Sequence, residues 1–80
     1  MISGEIYSQL TTIFRDVFDE PDLTPNREMT ADDVVEWDSL SHVRLMLTIE
    51  RVFRVKFTAS QMGNLKNVGD LMDLLQTKLG

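Results

Sequence analysis

Residues 37–53 read WDSLSHVRLMLTIERVF, and the spacing within this stretch decides the fold. Ser41, Arg44, Thr48 and Arg51 fall at i, i+3, i+7 and i+10, a single helical stripe, and most of the remainder is apolar. The pattern predicts a helix that starts at Asp38 or Ser39 and runs to about Phe53. An apolar arc this broad belongs to a central helix embraced by its neighbours, or to one that keeps part of its surface for a ligand or partner. Asp38 and Ser39 are both common helix caps. A serine at this point also holds its hydroxyl beside a helix N-terminus, whose unpaired N–H groups and positive dipole end suit a phosphate.

Working outward, Ile6, Leu10, Ile13, Phe14, Val17 and Phe18 repeat at the spacing of an amphipathic helix, with Ser3 as its cap and Pro21 enforcing its end. A long connection over residues 19–37 follows, rich in Asp, Glu, Thr and Asn; Leu23, Met29, Val34, Val35 and Trp37 are expected to pin it to the core. After the central helix, Val55 and Phe57 alternate with Arg54, Lys56 and Thr58, but no second run exists to pair with them, so this is a connector. Ala59 to Met62 has room for one helical turn closed by Gly63. The last helix opens at Asn67, with Asp70 placed as in a capping box and Val68, Leu71, Met72, Leu75 and Leu79 as its buried stripe. Three main helices, a short one and a long first connection make a small all-α bundle of one domain.

Eighty residues bury roughly 60% of their unfolded surface, enough for one modest core. The chain has no cysteine, which excludes a disulfide, a thiolate nucleophile and a cysteine–zinc site. Its opening residues have neither the basic segment nor the apolar run of a signal peptide, and nothing reaches the length of a membrane span, so a cytoplasmic monomer is expected. The net charge of −5 argues against nucleic acid. Charge placement says more. Nine of the thirteen acids lie between Asp16 and Asp38 against one base, Arg27, whereas from Ser39 to Val68 only Glu50 opposes Arg44, Arg51, Arg54, Lys56 and Lys66.

Asp32, Asp33, Glu36 and Asp38 are close enough in sequence to raise a metal site. A calcium loop needs oxygen ligands at alternate positions and a central glycine, yet no glycine lies between Gly4 and Gly63, so no metal site is assigned. Ser39 and His42, the only histidine, invite a nucleophile–base reading, but no third group orients the imidazole and no glycine elbow is present. His42 reads instead as a surface residue near Ser39. Trp37 reads as a loop anchor, with shielding of whatever hangs from Ser39 as its functional alternative. Met46, Met62 and Met72 read as core, or as the lining of an adaptable cavity.

Asp38-Ser39-Leu40 opening a helix that continues Val43, Leu47, Ile49, Glu50, Phe53, then Val55-Lys56-Phe57, a short segment at Met62 and a closing Val68–Leu75 helix resembles the acyl carrier proteins. The resemblance covers nearly the whole chain. It implies a four-helix bundle with a short third helix, and a 4′-phosphopantetheine arm attached to Ser39 from coenzyme A by a phosphopantetheinyl transferase. The arm's thiol would carry acyl groups as thioesters between acyl-loading and acyl-processing enzymes, making the chain a stand-alone carrier and not an enzyme. The resemblance also implies that Asp38 helps hold magnesium during transfer and that Leu40 and Met46 help dock partners.

Two departures stand out. The helix after the serine is usually acidic in carriers of fatty acid synthesis, and here its exposed stripe carries Arg44 and Arg51, which join Asp38, Leu40 and Met46 as the expected docking residues. Glu36-Trp37 stands where small residues are more familiar. Both point to a specialised lipid or secondary-metabolite pathway. An aminoacyl or peptidyl carrier of the nonribosomal type is one rival; a helical protein–protein adaptor, with Ser39 as a plain helix cap, is the other.

Overall fold

The computed structural model describes residues 3–80, and within them the chain forms four helices and no strand. They are α1 (Ser3–Val17), α2 (Ser39–Phe53), α3 (Ala59–Gly63) and α4 (Val68–Leu79), with one 3-10 turn at Ala31–Asp33 inside the long first connection. The expected four-helix architecture is observed. The cap expected at Ser3 rests on a side chain outside the described residues.

The core is built from one stripe of each long helix. Ile6, Leu10, Ile13, Phe14 and Phe18 come from α1 and its end, Leu45, Met46, Ile49 and Phe53 from α2, and Val68, Leu71 and Leu75 from α4. Phe14, Phe18 and Trp37 form an aromatic cluster, with ring centroids 5.4 to 5.7 Å apart, that ties the end of the connection to α1; Phe14 meets both other rings edge to face, and Phe18 and Trp37 are tilted by 40°. Proline is not what stops α1. Asp19 adopts a left-handed backbone, φ 52°, and the Glu20 amide turns back to the Arg15 carbonyl at 3.0 Å, so the helix has closed before Pro21. α2 ends the same way, with Arg54 at φ 57° and the Val55 amide on the Glu50 carbonyl.

The long connection is held as much by hydrogen bonds as by apolar anchors. Tyr7 Oη donates to the Pro25 carbonyl at 2.6 Å and Arg15 Nε to the Leu23 carbonyl at 2.8 Å. The amides of Val68 and Gly69 donate to the carbonyls of Met29 and Arg27, both at 2.9 Å, so the loop closes over the start of α4. Leu23, Met29, Val34 and Trp37 pack against the core as expected, but Val35 does not: it is 97% exposed. Val34 sits in extended backbone and points inward, which turns its successor outward. Between α2 and α3, Glu50 Oε2 accepts the Phe57 amide at 2.7 Å and fixes the segment that the lack of a pairing partner marked as a connector.

Candidate functional site

The start of α2 is shaped by Asp38. Its backbone is extended, its Oδ1 accepts the Ser41 amide at 2.9 Å, and its carbonyl accepts the His42 amide. Asp38 is therefore the helix cap, and the hydrogen bond from the Ser41 amide holds its carboxyl below the usual carboxylate range. Ser39 is the first helical residue, exposed, and its hydroxyl enters no hydrogen bond among the described residues. The helix-cap role open to either residue thus falls to Asp38, and Ser39 is left without a structural task.

Ser39 stands on the rim of a cleft of about 440 Å³ enclosed by the 3-10 turn, the start of α2, the end of α3 and the start of α4. Leu45 and Leu71 form its apolar floor, and Met62 and Leu65 line the side toward α3. Lys66 lines it as well and is the one cationic side chain there.

His42 and Trp37 close the cleft from a third side. Trp37 Nε1 donates to His42 Nδ1 at 3.1 Å, and the rings stack with an interplanar angle of 18°. Because Nδ1 accepts, the ring hydrogen sits on Nε2, which donates to the Met62 carbonyl at 3.0 Å. The imidazole is a neutral cross-link from the loop through α2 to α3. That corrects its reading as a surface residue: His42 is half-buried with both nitrogens engaged, and neither is aimed at Ser39 as a base.

The outer face of α2 differs from expectation in one residue. Met46 is fully buried, so it cannot meet a partner, whereas Leu40 is 73%, Val43 51% and Leu47 54% exposed. Leu40, Val43 and Leu47 lie at i, i+3 and i+7 and share their face with the exposed Arg44 and Arg51. The signal was present in the sequence as a second stripe in phase with the arginines. It was masked by the polar stripe, two of whose members, Ser41 and Thr48, are half-buried; Thr48 Oγ1 donates to the Arg44 carbonyl.

The acids before Ser39 do not converge. Asp33 Oδ2 accepts the Thr30 amide in the capping box of the 3-10 turn, and Asp38 caps α2. Among the described residues no three His, Asp or Glu side chains gather as a metal site, and no helix is long and apolar enough to cross a membrane.

No family model matches the chain. It is 30% identical over 77 residues, 94% of its length and 92% of the relative's, to a protein from Coprothermobacter proteolyticus named acyl carrier protein. It also superposes, with a TM-score of 0.86 and 45% identity, on the solution structure of a holo acyl carrier protein from Geobacter metallireducens, over 91% of this chain and 84% of that one.

Proposed function

This chain belongs to the acyl carrier protein family, and from that premise we propose that Ser39 bears a 4′-phosphopantetheine arm. The arm is joined through a phosphodiester that a phosphopantetheinyl transferase makes from coenzyme A. The observation that carries the reading is the exposed Ser39 hydroxyl, unused by the fold, one residue after the aspartate that caps the helix in its place. The residues around it fit such a group. Helix N-terminal amides favour the phosphodiester, and Lys66 stands across the cleft as a cation for the same charge.

Asp38, kept ionised by the Ser41 amide, would help hold a magnesium ion during loading. In that step Ser39 Oγ bonds to the pantetheine-bearing phosphorus of coenzyme A, the pyrophosphate P–O bond breaks, adenosine 3′,5′-bisphosphate leaves and the serine proton passes to the transferase. The attached arm supplies the terminal thiol that a cysteine-free chain lacks, and acyl groups ride on it as thioesters. Leu45 and Leu71 give the cleft an apolar floor that keeps water from a hydrocarbon group lodged there. Trp37 and His42 wall it with aromatic rings whose polar atoms are already paired, so the cleft accepts a short apolar cargo without leaving a buried donor unmet. Among the described residues the chain does not assemble Ser39 and His42 into a nucleophile–base pair. It acts as a carrier in a specialised lipid or secondary-metabolite pathway and depends on separate enzymes for every chemical step.

The test is intact mass before and after incubation with coenzyme A, magnesium and a promiscuous phosphopantetheinyl transferase. The native chain is expected to gain one phosphopantetheine and Ser39→Ala none. Because Asp38 is the cap, Ser39→Ala should leave the urea midpoint nearly unchanged. A native chain that gains no mass from an active transferase would end the carrier reading.

A further inference from the structure

The outer face of α2 pairs an apolar ridge with unneutralised cations. Leu40, Val43 and Leu47 form the ridge, Arg44 and Arg51 flank it, and Arg54 stands exposed at the helix end. Among the described residues no carboxylate lies within ion-pair distance of these three guanidinium groups; the ion pair observed there is Arg27–Asp73, on the loop and α4. Glu50, the one acid of this helix, is turned away to the Phe57 amide. On the other side of Ser39 the sign reverses, with Asp32, Glu36 and Asp38 exposed around the projecting Val35. The surface is therefore bipolar, negative on the loop and positive along the helix, with Ser39 at the crossover.

We infer that this face docks protein partners whose apolar recess is rimmed by carboxylates, the reverse of the basic patch that reads an acidic carrier helix. The inference rests on the carrier reading of Ser39. Arginine beside exposed leucine suits an interface core, because guanidinium groups are weakly hydrated and pair carboxylates in a planar, two-pronged geometry. The ridge from Leu40 to Arg51 spans about 16 Å of helix, which fits a small, transient contact. A carrier that must leave each enzyme needs such a contact, formed quickly by steering and released quickly. The charge reversal at Ser39 also fixes orientation. A partner acidic opposite Arg44 and Arg51, and basic opposite Asp32 and Glu36, accepts the helix in one direction only and so receives the Ser39 end at its active-site mouth.

The experiment uses two synthetic amphipathic helical peptides with the same leucine face, one flanked by glutamates and the other by lysines. Each is titrated into the full-length protein while backbone amide shifts are followed by NMR. The glutamate peptide is expected to perturb residues 40–52 and to bind about tenfold more tightly than the lysine peptide, an advantage that shrinks as salt rises. Arg44→Glu with Arg51→Glu should invert the preference while leaving the rest of the spectrum intact. Equal binding of both peptides, shifts mapping to another face, or no shifts at all would overturn the inference. So would a dimer in sedimentation that Arg44→Glu dissolves, which assigns the face to a second copy, or co-sedimentation with phosphatidylglycerol vesicles, which assigns it to lipid. Phosphopantetheine uptake at Ser39, read by mass on the same samples, reports the carrier reading separately, so the failure of one is not mistaken for that of the other.

Discussion

The start of α4 is bordered by two neighbours that are held in opposite ways. On one side, loop residues 25–30 lie on it through the Met29–Val68 and Arg27–Gly69 backbone bonds, with the Tyr7–Pro25 bond behind them and the Arg27–Asp73 pair outside. The contact is so close that a Cβ on Gly69 would sit 3.0 Å from the Arg27 carbonyl oxygen. On the other side, α3 has five residues and buries none of them. Its tie to α2 is the His42–Met62 hydrogen bond, and the cleft lies between. Segments with few buried contacts open at the smallest free-energy cost. The difference places the rigid junction away from Ser39 and the yielding wall beside it, where the arm proposed for Ser39 and its cargo would enter and leave.

Gly69→Val should have the largest effect, because it attacks the rigid side. The neighbour facing a new side chain is backbone carbonyl, which cannot swing aside, so the loop must lift and lose the bond from the residue 69 amide. Overpacking of this kind costs about 1–3 kcal/mol, and urea unfolding followed by circular dichroism measures it. Phosphopantetheine uptake at Ser39 should persist wherever the variant is folded. Unchanged stability would mean that the junction is loose, and the contrast between the two walls would collapse.

His42→Phe acts on the yielding side and should do less to global stability. It removes the acceptor of the Trp37 indole N–H and the donor to the Met62 carbonyl, and both orphaned groups are only partly buried and can turn to water. A cost of about 1 kcal/mol follows. The sharper readout is local. Amide exchange should speed up across residues 59–66 and stay unchanged at Val68 and Gly69. Exchange that rises equally on both sides would show α3 and the loop junction to be one cooperative unit.

These two positions also mark what the sequence made legible. Helical periodicity located α1, α2 and α4 and their buried stripes, because each long helix must hide one face and the spacing records which. α3 was visible only as one turn from Ala59 to Met62 closed by a glycine, since a five-residue helix with no fully buried side chain leaves no stripe. That Ser39 follows an acid at a helix start was readable. The division of labour between Asp38 and Ser39 was not, because both residues cap helices equally well and only geometry separates them. The Gly69 junction and the Trp37–His42–Met62 relay were invisible for a plainer reason. Each joins residues distant in sequence through backbone groups that every residue type shares or through a single side-chain pair, and neither produces a periodic pattern.

The smallest expected effect comes from acid, and it again separates the two sides. The Ser41 amide stabilises the ionised form of Asp38, so its carboxyl titrates lower in the folded chain than in the unfolded one. A depressed carboxyl contributes its stability above the ordinary value, 3.8, and loses it as pH falls through the folded value. Asparagine caps through its own side-chain oxygen and does not titrate, so Asp38→Asn keeps the helix start and removes the pH dependence. The urea midpoint of the native chain should exceed that of Asp38→Asn at neutral pH by a small margin, and the margin should close as the solution is taken below the ordinary carboxylate range. The backbone bonds at Gly69 contain no titrating group, so native and Asp38→Asn chains should keep equal amide protection there throughout. A margin that widens in acid would mean that protonated Asp38 is the better cap, and the ionised carboxylate beside Ser39 would lose its place in the loading site.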